Sequence, residues 1–165
     1  MISSASPFNL LSAGTIRRKD SRGHLDVLYE QGQIVLKRSF SRAGVFRGMH
    51  WQRPPHDQTK LIRVISGRIL DFVVNPSESA PVLHRREISP SEGWVEISSM
   101  MAHGFYAIED TEFEYLCLGA YNEASESSYS IAPFLQSNLG LQDLILSEKD
   151  AKATPLNVID GGLHT

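Results

Sequence analysis

Apolar residues in this chain fall in short runs that alternate with polar ones, and clusters of turn-forming residues separate the runs. Residues 60–65 and 68–74 are two such β-rich runs, and the Ser66-Gly67 between them predicts a tight hairpin. Residues 32–39, Trp94-Val95-Glu96-Ile97 and residues 113–118 read as further strands. Arg53-Pro54-Pro55-His56-Asp57, Asn75-Pro76-Ser77-Glu78 and Ser89-Pro90-Ser91-Glu92-Gly93 supply turns. Short strands at this spacing predict an antiparallel sandwich or barrel. Helical periodicity is scarce, confined to a turn or short helix within residues 139–150. The pattern predicts a single all-β domain over residues 1–165, loosely held at 1–14 and frayed at 157–165, with no internal repeat.

Composition narrows the class. A chain of 165 residues, 41% hydrophobic and 21% charged, has the make-up of an ordinary soluble domain with a real core. No apolar run approaches the ~20 residues that span a bilayer. Met1-Ile2-Ser3-Ser4-Ala5 lacks the charged-then-apolar pattern of a signal peptide. Cys117 is the single cysteine, which excludes an internal disulfide and a cysteine-based zinc site. A reducing, cytoplasmic setting is expected. The net charge of -3 conceals an asymmetry: residues 1–68 hold twelve Lys/Arg against four Asp/Glu, and the remainder holds four against fifteen. A basic half on an acidic protein predicts a local anion site rather than a nucleic-acid surface. The same charges also fit solvated faces that pair with one another.

The chemistry concentrates in Arg47-Gly48-Met49-His50-Trp51-Gln52-Arg53-Pro54-Pro55-His56-Asp57, followed by Gln58-Thr59-Lys60. An arginine fork suits phosphate oxygens, a lysine neutralises a developing oxyanion, and a histidine moves a proton near neutral pH. Lys60 starts a strand whose alternate residues Ile62 and Val64 are apolar. If that face looks inward, Lys60 projects into the interior, where an unpaired lysine is costly unless it is functional. Tyr115 and Tyr121 lie an even six residues apart, so an uninterrupted strand would point both to one face. Each residue also has a plain structural role open to it: a core aromatic for Tyr115, a strand-end cation for Lys60, a hydrogen-bonded core histidine for His103, a helix cap for Asp150.

Together with Ala102-His103-Gly104-Phe105, Tyr115-Leu116-Cys117 through Tyr121-Asn122, and Leu146-Ser147-Glu148-Lys149-Asp150-Ala151, the Arg47–Lys60 block resembles the dTDP-4-dehydrorhamnose 3,5-epimerase family, in order and spacing, from about residue 20 to residue 156. The resemblance implies a cupin-type jelly roll with a short C-terminal helical segment, usually a homodimer. It implies proton abstraction beside the ketone of a nucleotide-linked 4-keto-6-deoxy sugar at C3, C5 or both, with neither metal nor redox cofactor. His50 would be the base, Asp150 its hydrogen-bonding partner, Lys60 the oxyanion stabiliser and Tyr115 the acid. Arg22, in Asp20-Ser21-Arg22-Gly23, and Arg47 would contact the diphosphate. Gln52, His103 and Tyr121 would line the substrate and nucleotide site.

Three departures weaken the match to dTDP itself. The family's Phe and Glu after Arg-Gly are replaced by His24-Leu25-Asp26-Val27. Its Gln-x-Asn-x-Ser is Val35-Leu36-Lys37-Arg38-Ser39 here, and its Pro-x-Gly before Ala-His is Ser98-Ser99-Met100-Met101. The acid–base set is kept while the nucleotide-recognition set is not. Two other functions compete: a metal-dependent cupin built on His50, His56 and His103, although His50-x-Gln52 replaces the usual His-x-His, and a sugar-binding cupin without turnover.

Overall fold

Strands make up most of the computed structural model, which describes residues 16–165, and alternation of buried and half-buried positions is clearest at Thr59–Ser66 and Ile69–Val74. The loose segment expected at 1–14 lies outside the described residues. In chain order the strands are β1 (Ile16–Asp20), β2 (Gly23–Gln31), β3 (Ile34–Ser41), β4 (Phe46–Gln52), β5 (Thr59–Ser66), β6 (Ile69–Val74), β7 (Val82–Ile88), β8 (Val95–Ile97), β9 (Ala102–Ala107), β10 (Thr111–Leu118), β11 (Glu126–Ser130), β12 (Thr154–Pro155) and β13 (Ile159–His164). Two helices, α1 (Ala132–Leu139) and α2 (Glu148–Ala151), follow β11. The strands form two sheets, one in the order β1-β2-β3-β10-β5-β8, the other β12-β11-β4-β9-β6-β7-β13. The curved sheets pack face to face as the expected cupin-type jelly roll. Pairing is antiparallel except for β11 with β12 and β7 with β13.

The space between the sheets is divided. At one end Ile62, Val64, Ile69, Ile88, Ile97, Phe105 and Phe113 form a closed apolar core. At the other end the inward positions carry polar and cationic side chains around a cavity of about 250 Å³. A second apolar cluster lies behind the second sheet. There Phe46, Met49, Trp51 and Phe72 pack against Phe134 and Leu135 of α1. This helix has Pro133 in its first turn and ends at Gly140 in a left-handed conformation, the usual start and stop for so short a helix.

Two expectations change. Residues 60–65 and 68–74 are strands, but they do not form a hairpin. β5 pairs with β10 and β8 in the first sheet, while β6 pairs with β7 and β9 in the second. Ser66-Gly67 is therefore a corner at which the chain steps between layers. Gly67 has φ +82°, and a side chain there would collide with the Asp110 carbonyl. Residues 157–165 are not a frayed tail, because β13 runs parallel to β7, from Ile159 beside Val82 to His164 beside Arg86. That pairing depends on a distant partner strand and on an Arg85–Asp160 ion pair, neither of which is written in the local pattern.

Part of the basic excess is matched on the outer face of the first sheet. There Arg38 and Arg63 share Glu114, at 2.5 and 2.7 Å, and Arg17 pairs with Asp26 at 2.6 Å. The rest of the basic excess includes the cations that line the cavity.

Candidate active site

The two sheets contribute facing walls to the cavity. The second sheet supplies Arg47, His50 and Gln52 from β4 and His103 from β9; the first supplies Lys37 and Ser39 from β3, Tyr115 and Cys117 from β10, and Lys60 from β5. Arg47 and His50 are three residues apart, so regular alternation would turn them to opposite faces. A register shift between them against β9 adds the residue that brings both to the same wall. Gly48 sits at that irregularity with φ +116°. A Cβ there would lie 2.6 Å from Gly104 Cα and 2.7 Å from the His103 carbonyl, so only glycine fits.

His50 Nε2 lies 2.7 Å from Asp150 Oδ1, although a hundred residues separate them. Asp150 is placed by α2: Ser147 caps the helix, its Oγ accepting from the Asp150 backbone N–H at 3.0 Å. Its other oxygen accepts from Arg22 Nη1 at 3.2 Å. Burial pushes the Asp150 carboxyl up, but the hydrogen bond and charge of His50, with Ser147 and Arg22, outweigh it and hold the group below the ordinary carboxylate value. The partner is therefore an anion, and it fixes the orientation of the ring by binding Nε2, leaving Nδ1 for proton exchange.

Lys60 Nζ donates to the His50 carbonyl at 3.3 Å. Burial lowers its pKa from the usual lysine value, and the neighbouring Lys37 lowers it further. The expected inward face holds, with Ile62 and Val64 buried behind Lys60. Burial raises the Tyr115 phenol, so it keeps its proton at neutral pH. Tyr121 also lines the cavity, but not by strand alternation: β10 ends at Leu118, Gly119 follows with φ +127°, and Tyr121 lies in the loop beyond. Its hydroxyl donates to Glu126 at 3.0 Å, and burial with this bond pushes it up to about 12.

Arg47 borders the cavity with its Nε on Ser41 Oγ at 2.9 Å. Arg22 reaches the same wall but is engaged by Asp20 at 2.6 Å and by Asp150. Gln52 accepts the Asn122 backbone N–H at 3.0 Å, while its buried Nε2 has no protein partner among the described residues. His103 forms a second histidine–carboxylate pair, Nε2 to Asp71 Oδ1 at 2.7 Å. His56 bonds Ser125 and stands outside the cavity lining. His50, His56 and His103 therefore do not converge, and no group of three His, Cys, Asp or Glu among the described residues is arranged to hold a metal ion.

Residues 16–157 match the family described as dTDP-4-dehydrorhamnose 3,5-epimerase. The chain belongs to the dTDP-4-dehydrorhamnose 3,5-epimerase family. An epimerase of that name from Methanothermobacter thermautotrophicus is 33% identical, over 83% of this chain and 84% of its own. One from Mycobacterium tuberculosis is 33% identical over 124 residues, 70% of this chain; the aligned part spans 61% of that relative's length. A crystal structure of the Legionella pneumophila dTDP-6-deoxy-D-glucose-3,5-epimerase, in complex with dTDP-4-keto-L-rhamnose, superposes with a TM-score of 0.64 at 28% identity, covering 88% of this chain and 87% of that one.

Within this dTDP-4-dehydrorhamnose 3,5-epimerase fold, two of the departures noted in the sequence, Leu25 and Lys37, stand on the cavity wall. Asp71, Glu126, Gln58 and Ser39 escaped the reading of the sequence as site residues. Asp71 carried a signal, a carboxylate inside the apolar run Ile69-Leu70-Asp71-Phe72-Val73-Val74. Glu126 carried none, since its role depends on β11 pairing with β4. Among the described residues, no helix is long and apolar enough to cross a membrane.

Proposed function

We propose that this protein epimerises C3, C5 or both of a nucleoside-diphosphate-linked 4-keto-6-deoxy sugar, acting in the cytoplasm as a homodimer. The observation that carries this reading is the placement of His50 and Tyr115 on facing sheets across one cavity, with Lys60 beside the base. Inversion at carbon requires a proton to leave one face of the sugar and another to arrive on the opposite face. His50, held by Asp150, takes the proton from the carbon beside the ketone and becomes imidazolium, which the Asp150 carboxylate stabilises. The Lys60 ammonium meets the enolate oxygen as negative charge develops there. Tyr115, protonated on the other wall, returns a proton to the far face. That protonation at carbon re-forms the ketone and leaves a tyrosinate; solvent then takes the proton from His50 and restores the one on Tyr115.

Gln52 and His103 border the sugar in this reading, and Tyr121 with Glu126 closes the mouth of the cavity. Arg47 takes part in holding the diphosphate, and Arg22 holds the second oxygen of Asp150. Leu25, Val27, Val35 and Lys37 replace side chains through which the family recognises its nucleotide, so discrimination between nucleotides is weaker than is usual for the family. The test is a panel of dTDP-, CDP-, UDP- and GDP-linked 4-keto-6-deoxy sugars, with products read by NMR and compared by kcat/KM. Inverted product with a shallow nucleotide preference is expected. No inverted product from any donor, with binding retained, would make the protein a sugar-binding member without turnover.

A further inference from the structure

Three cations on the cavity wall lack an acidic partner among the described residues. Among the described residues the Arg47 side chain bonds only to Ser41 Oγ and, at 3.3 Å, to the Phe40 carbonyl. Among the described residues the Lys60 ammonium bonds only to the His50 carbonyl. The Lys37 ammonium makes no hydrogen bond to the described residues and lies 5.5 Å from the centre of the Tyr115 ring. Residues 1–15 contain no Asp or Glu that could neutralise them. The other charges on the wall are matched: Arg22 by Asp20 and Asp150, Glu126 by Lys149 at 2.6 Å and by the Tyr121 hydroxyl. All three cations are half-buried. Unmatched cations gathered on one partly desolvated wall are costly, so their countercharge is expected to arrive with the ligand.

Lys37, Ser39 and Ser41 alternate along β3 and so share one face. Ser41 anchors Arg47 at one end of this row, and Lys37 stands at the other. Between them the Ser39 hydroxyl is buried, lines the cavity and has no partner among the described residues. A hydroxyl donor flanked by an arginine fork and an ammonium is an arrangement suited to the oxygens of a diphosphate. Charge accounting agrees. The substrate class brings a doubly anionic diphosphate, and enolisation adds one further negative charge. Lys60, beside the base, takes the enolate, which leaves Arg47 and Lys37 for the diphosphate.

We propose that Lys37, with Ser39 and Arg47, is the diphosphate-binding row of this chain, and that Lys37 supplies the second cation because Arg22 is already engaged by Asp20 and Asp150. The proposal rests on the nucleoside-diphosphate reading above. It is tested by calorimetric titration of the full chain with TDP and with UDP at several salt concentrations, a measurement that needs no turnover. Lys37→Met is expected to weaken binding about ten- to a hundredfold, as loss of a hydrogen bond to a charged group does, and to flatten the salt dependence. Lys37→Arg keeps the charge and should retain most of the affinity, which separates loss of a contact from damage to the fold. Binding and salt dependence unchanged in Lys37→Met would overturn the role of Lys37 and leave the proposed function standing. Failure of the unmodified protein to bind either diphosphate would overturn the substrate class, and this proposal with it.

Discussion

The molecule holds two histidine–carboxylate pairs with the same 2.7 Å contact, on residues that face each other in adjacent strands: His50 of β4 is the register partner of His103 of β9. Their surroundings differ. The His50 side chain is 32% exposed and its carboxylate, Asp150, only 1%. In the second pair both members are closed off, His103 at 8% and Asp71 at 5%. The carboxylates also have different support. Asp150 retains Arg22 and the α2 cap if His50 is removed. Asp71 has His103 as its side-chain hydrogen-bonding partner and comes from the strand beside it. An accessible ring backed by a sealed, independently held anion suits proton transfer. A ring sealed together with its carboxylate suits the wall that shapes the cavity.

Replacing each histidine in turn separates the two pairs. His50→Ala is expected to lower kcat by about 10²–10⁴, the usual contribution of a general acid–base group, with little change in stability. His103→Ala leaves Asp71 buried and uncompensated, and is expected to cost about 3–5 kcal/mol in chemical denaturation. Equal stability losses in both variants would erase the distinction. Asp150→Asn keeps the size of the side chain but weakens its bond to the imidazolium. A hydrogen bond to a charged group contributes about 1.5–3 kcal/mol, so kcat should fall about ten- to a hundredfold, less than on loss of the base. The smallest effect concerns pH. Lys60 has a depressed pKa, caused first by burial and then by Lys37. Its proton is therefore lost below the ordinary lysine value of 10.5, and with it the stabilised enolate, so kcat should decline on an alkaline limb beginning below that pH. Because the folded state releases this proton before the unfolded chain does, stability should rise with pH across the same window. Lys60→Arg, charged throughout, should move the alkaline limb of kcat beyond reach. An unmoved limb would assign it to another group.

Much of this arrangement was legible in the chain. The alternation at residues 60–65 and 113–118 predicted β5 and β10, and the inward face of Lys60 followed from Ile62 and Val64. Four motif blocks brought His50, Lys60, Tyr115 and Asp150 under one family resemblance. What the chain did not show was pairing at a distance. Ser66-Gly67 reads identically as a hairpin turn and as a corner between sheets, because both need the same left-handed glycine. β13 exists by virtue of β7, and its exposed Ile159 and Leu163 give no alternation to read. The common orientation of Arg47 and His50 rests on an irregularity that only the β9 partner reveals. Asp71 belonged to a run already read as a strand, but only its diagonal position to His103 shows why a carboxylate is there.

The central claim is that base and acid work from opposite walls, and solvent exchange measures it most directly. The protein, Tyr115→Phe and His50→Ala are each incubated with a nucleotide-linked 4-keto-6-deoxy sugar in D₂O, and NMR reads both deuterium content and configuration at C3 and C5. The unmodified protein should give deuterated, inverted product. Tyr115→Phe should still incorporate deuterium, because His50 continues to remove and return the proton on its own face, but with the original configuration retained. His50→Ala should incorporate almost none. Inverted product from Tyr115→Phe, or undiminished deuterium incorporation by His50→Ala, would contradict the two-wall mechanism.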